Sequence, residues 1–136
     1  MVFQMLDGKQ RETALLGDAR RERGYKTVKL TGKKKGLEGI RMSELTKDQR
    51  KEVRGVLKDI LAPYREADVE EAMKLIKANG FRNLHMAFYK NHDVGDDKVW
   101  DVWKIEGPSM VCYFRGDPHV HAWINVKNAP DALDKA

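Results

Sequence analysis

Gly80-Phe-Arg-Asn-Leu-His-Met-Ala-Phe-Tyr89 is where this chain changes its period. Leu84, Met86 and Phe88 alternate with His85, Ala87 and Tyr89, the two-residue repeat of a strand with two unlike faces. The alternation continues downstream and predicts four strands, near 83–90, 98–106, 109–115 and 119–126. Turn residues at 91–97, 107–108 and 116–118 separate them, as in an antiparallel meander.

Upstream of Gly80 the spacing is helical. Thr46-Lys-Asp-Gln49 has the form of a capping box, and Val53, Val56, Leu57, Ile60 and Leu61 then keep one face of a helix that Pro63 ends. Asp68-Val-Glu-Glu71 opens another, with Val69, Ala72, Met73 and Ile76 on one side and Asn79-Gly80 as its C-cap. Asp7-Gly-Lys-Gln10 is a further capping box and starts a helix over 8–22. A short strand is expected over 25–30 and an exposed loop over 31–42.

Helices first and strands afterwards indicate the α+β class: two or three helices packed on one face of an antiparallel sheet of about four strands. The chain of 136 residues suits a single domain, 1–136, with a helical part over about 1–80 and a sheet part over about 81–128. No apolar run approaches the roughly 20 residues of a membrane-spanning helix, so the chain reads as water-soluble. The formal charge of +5 comes mainly from Arg20-Arg-Glu-Arg23 and Lys33-Lys-Lys35. Nucleic-acid binding through those clusters ranks last among the readings because no reader motif accompanies them.

The last strand divides into Val120, Ala122, Ile124 and Val126 on one side and His119, His121, Trp123 and Asn125 on the other. The aliphatic set is expected against the helices. Two imidazoles side by side on rigid backbone can hold a transition metal, share a proton or bind an anion. Metal binding needs at least three placed ligands, and His85, on the polar phase of another strand, is the best third. Glu106 or Asp117 can complete the shell with a carboxylate. Copper is preferred slightly over zinc because no thiolate cluster is present: Cys112 is the only cysteine and lies mid-strand.

The expectation is a small metal-binding, copper-dependent redox protein centred on His119 and His121. The alternative is a non-enzymatic module whose aromatic and histidine face receives a small ligand or a protein, with an edge strand open to self-association as a homo-oligomer. Histidines on half-exposed strands also serve simply as hydrogen-bond donors, and Trp100, Trp103 and Trp123 as core. Trp100 and Trp103 fall on opposite strand faces. Ser109 lacks a nucleophile-elbow sequence. The acidic loop with His92, Asp93, Asp96 and Asp97 does not match an EF-hand.

The tail over 99–125, with Trp100-Asp-Val-Trp-Lys-Ile-Glu-Gly-Pro108 followed by Tyr113-Phe-Arg-Gly-Asp-Pro-His-Val-His121, resembles a bacterial domain-of-unknown-function family, number thirty-five hundred. Residues 37–61, with Leu45-Thr-Lys-Asp-Gln-Arg50, look like that family's helical part. The resemblance implies an extracytoplasmic setting and no particular reaction. Some members carry a histidine at the turn matching Pro108-Ser109, which this chain lacks.

Overall fold

The computed structural model describes residues 2–17, 37–90, 102–115 and 121–126. The expected strand over 25–30, Trp100, His92, Asp117 and His119 lie outside the described residues.

The chain opens with a short helix, α1 (Val2–Met5), and a second, α2 (Gly8–Ala14). Both expected capping boxes form. Asp7 accepts from the Gln10 amide at 2.8 Å while the Gln10 side chain accepts from the Asp7 amide at 2.9 Å, and Thr46 and Gln49 repeat the exchange. The helix predicted over 8–22 stops at Ala14. Leu15 turns extended and begins β1 (Leu15–Leu16), which runs parallel to the strand His85–Tyr89, β3. Strand geometry sends the two leucines to opposite sheet faces, so each joins a different apolar cluster, which one helical turn could not do.

The end of the expected 31–42 loop is regular as well. Ile40–Arg41 forms β2, antiparallel to β3, and Met42–Glu44 forms a 3₁₀ turn. α3 (Lys47–Leu61) buries Val53, Leu57 and Leu61, with Val56 and Ile60 packed beside them, on the expected apolar face. Fully burying a leucine of this kind contributes roughly 1.5–3 kcal/mol.

α4 (Glu66–Ala78) begins two residues before the position its sequence suggests. Asp68 is therefore not a cap but a first-turn acid, near the positive end of the helix and 3.0 Å from Arg65. Gly80 adopts φ +85 after the helix, the backbone conformation that a glycine stop provides.

Four antiparallel strands follow: β3 (His85–Tyr89), β4 (Val102–Glu106), β5 (Met110–Arg115) and β6 (His121–Val126). They pair in sequence order, and β1 and β2 both add to the outer edge of β3. The sheet is thus mixed and longer than four strands, with its two extra pieces drawn from the helical part of the chain. The first face carries Met86, Phe88, Ile105, Met110 and Cys112, packed against the helices together with Ile124 and Val126. The aliphatic side of the last strand faces the helices as its pattern requires. No helix among the described residues is long and apolar enough to cross a membrane.

Candidate ligand-binding face

Strand register arranges the second sheet face in rows. One runs Arg41, His85, Glu106, Val111, Asn125. The next runs Ala87, Lys104, Tyr113, Trp123, and the third Tyr89, Val102, Arg115, His121. This side is buried over most of its breadth, although half of its side chains are polar. Ala87, Tyr89, Val102, Val111 and Tyr113 form its apolar cluster, with Leu16 and Trp123 against it.

Within that cluster lies an ion group. Lys104 is 1 % exposed, and its Nζ lies 3.0 Å from Glu106 Oε1 and 2.9 Å from Glu38 Oε1. Glu38 reaches it from the segment ahead of β2, across the strand that bears Ala87, the register partner of Lys104. Gly39 makes that approach feasible. It holds φ +94, and a Cβ there would stand 2.2 Å from the Met86 carbonyl oxygen.

His85 sits between Arg41 on β2 and Glu106 on β4. Its Nδ1 lies 3.2 Å from the Asn83 carbonyl. A carbonyl can only accept, so in the neutral ring Nδ1 carries the proton and donates, leaving Nε2 as the acceptor. Burial holds the imidazole pKa below its ordinary value. The Asn83 hydrogen bond opposes that shift, Arg41 reinforces it, and Glu106 and Glu44 oppose it.

The expected ligands therefore part company. His85 and Glu106 stand in register, but Glu106 faces an ammonium, which weakens its call on a metal cation. The backbone of His121 is at the far corner, paired with Arg115 on β5. Three strand spacings and four residues separate it from His85, a diagonal of about 20 Å, far beyond what one coordination sphere spans. His85 does not join His121 in a single shell. Among the described residues no three His, Cys, Asp or Glu side chains are grouped as a metal site requires. His119 and Asp117 lie outside the described residues.

Trp103 and Trp123 project from opposite faces. Trp103 stacks on Phe114 on the helix side, with centroids 5.0 Å apart, whereas Trp123 packs against Tyr113 at 5.7 Å on the other. Burial decreases toward β6. Tyr113 is buried, while Arg115, Trp123 and Asn125 are only half-buried. The reachable part of the second face is thus the patch where Arg115 opposes the His121 backbone beside Trp123. Ser109 is structural, its hydroxyl donating to the Leu75 carbonyl of α4 at 3.4 Å. Burial pushes the Cys112 thiol up to about 12.

Sequence reading missed Lys104, Glu38 and Arg115. A lysine two residues before a glutamate in a strand flanked by aromatic residues was the available signal for the first. No local pattern marks Glu38, whose role depends on a contact 66 residues away.

Fold and face together define a small α+β protein with one apolar, helix-packed sheet surface and one surface that mixes polar and aromatic side chains. A family described as "Protein of unknown function (DUF3500)" matches residues 1–131, and the chain belongs to that family. No curated protein and no solved structure matches it.

Proposed function

We propose that this domain is a non-enzymatic binding module that uses the β5–β6 end of its second face to hold a small planar ligand carrying an anionic group. The observation that carries the reading is the half-buried Trp123, packed 5.7 Å from buried Tyr113, in a patch that also contains Arg115. An aromatic ring offers a stacking surface, and a guanidinium offers paired donors for carboxylate or phosphate. Lys104, the cross-strand neighbour of Tyr113 on the same face, is held in place by Glu106.

Titration with benzoate and phenyl phosphate, followed by tryptophan fluorescence, tests the proposal. Saturable quenching that Trp123→Phe removes and Arg115→Gln weakens at least tenfold supports it. Quenching indifferent to both substitutions, or none, rejects it.

Metal uptake, with copper ahead of zinc, is the second reading. It is supported by the sequence pair His119 and His121, with Asp117 close in the chain, and it no longer calls on His85. Arg115, the cross-strand neighbour of His121, weighs against a cation there and toward an anion. Stoichiometric metal uptake abolished by His121→Ala would favour metal; its absence would leave the anion reading.

A further inference from the structure

The opposite sheet face contains a cavity that the reading above does not use. It has a volume of about 260 Å³ and lies between α1, α3 and the sheet. Its walls include Phe3, Met86, Phe88 and Trp103, and its polar lining includes Glu52 and Asp59 of α3. Seven residues apart, those two acids share a helix face, so both look onto the same opening.

Sheet register builds the aromatic wall. Phe88 and Trp103 are cross-strand neighbours that line the space, Phe114 stacks on Trp103 outside the lining, and Phe3 meets Phe88 edge to face at 5.1 Å. Phe3, Phe88 and Trp103 thus border a space whose rim carries carboxylates. Among the described lining residues none is basic, in a chain whose formal charge is +5. Arg11 lies over the Phe3 ring at 5.1 Å and donates to the Gln4 carbonyl, so one ring of the wall already holds a cation of the protein itself.

We infer that this cavity binds a small organic ammonium ion, with its charge between the aromatic wall and the Glu52 and Asp59 rim and its apolar body against Met86 and Trp103. Aromatic faces recognise ammonium groups through their quadrupole, more strongly where water is excluded. Carboxylates at an exposed rim add attraction that salt screens.

The experiment compares phenethylamine with 2-phenylethanol, its neutral counterpart, using the Met86 methyl resonance and the Trp103 indole resonance. Saturable shifts at both positions with the amine, and at least tenfold weaker binding of the alcohol, support the inference. The surface double variant Glu52→Gln with Asp59→Asn should weaken the amine at least fivefold and flatten its salt dependence while leaving the circular dichroism spectrum unchanged. Equal binding of amine and alcohol would overturn the inference in favour of a plain apolar site. Absence of saturable shifts, or shifts confined to Trp123 on the other face, would also overturn it. Because the probe is a cation and the reporters lie on the helix side, these outcomes are independent of the anion test at Arg115.

Discussion

Lys104 Nζ lies 3.0 Å from Glu106 Oε1, two residues along the same strand, with both side chains enclosed by the protein. Glu38 approaches the same ammonium from a segment far away in sequence, but its own side chain is 44 % exposed. The two carboxylates therefore have different energetic weight.

Replacing Lys104 with Met should destabilise the protein by about 3 kcal/mol, since it removes the cation that an enclosed carboxylate faces. Glu106→Gln should cost less because Glu38 still meets the ammonium. Glu38→Gln should cost at most ~1 kcal/mol, as expected for a solvent-screened partner. Urea unfolding of the three variants checks the order. A double change of Lys104→Met with Glu106→Leu should recover much of the loss, and an additive result would refute the pairing.

At Gly39 the conformation and the space both exclude a side chain. Gly39→Ala should cost about 2–4 kcal/mol, through positive φ and collision with the Met86 carbonyl. Gly55, where an added Cβ meets nothing within 4 Å, is the control. There the substitution to Ala should stabilise slightly, by about 0.5–1 kcal/mol, as usual in a helix interior.

The acid response of His85 follows from its neutral, enclosed state. Its folded pKa lies below the unfolded value of 6.5, with burial as the leading cause. Below pH 6.5 the unfolded chain takes up a proton that the folded chain resists, so stability is present above that pH and falls as pH drops toward the folded pKa. Chemical unfolding at pH 7.5 and 5.5 should show a larger loss for the native sequence than for His85→Asn. Equal losses would contradict the assignment.

Cys112 should resist thiol reagents while the sheet is intact. Its pKa of about 12 and its burial leave almost no accessible thiolate at pH 8. One equivalent should react in denaturant and almost none without it. Rapid native labelling would show that the β5 core opens readily.

Gln10 and Gln49 join two helix starts. Each completes its own capping box, and the amides also pair with one another, at 3.0 and 2.9 Å, while Gln49 donates to the Met5 carbonyl at 2.7 Å. Thr46→Ala should cost about 1 kcal/mol as a simple cap loss. Gln49→Ala should cost more, and a double-mutant cycle with Gln10→Ala should reveal coupling of at least about 0.5 kcal/mol. Additivity would mean that the two caps act separately.

Local rules account well for what was legible in the chain. Alternation around Leu84 to Tyr89 marked β3, aliphatic phasing in Ala122 to Val126 marked the helix-facing side of β6, and side-chain spacing marked both capping boxes. The misses involve distant partners. Leu15 and Leu16 extend because β3 offers a vacant edge, and Ile40–Arg41 is a strand for the same reason. Alternating polarity also suggested a more open second face. Lys104, Glu106 and His85 are instead enclosed there, with Lys104 paired to Glu106 and Glu38. His85 and Glu106 were each recognisable as candidate ligands, but their pairing, and the four-residue offset of His121 from the His85 row, are set by strand register, which composition and periodicity do not encode.

β1 and β2 border β3 with only two residues each, one parallel and one antiparallel, and both join it across the whole stretch that forms α3 and α4. During synthesis β3 therefore emerges after both of its outer partners, and docking them closes large loops, whereas β3 to β5 can zip up through neighbouring contacts. Assembly from the C-terminal hairpins outward would make the amino-terminal segments the final closure, and a truncation there would expose the backbone edge most prone to recruiting another chain.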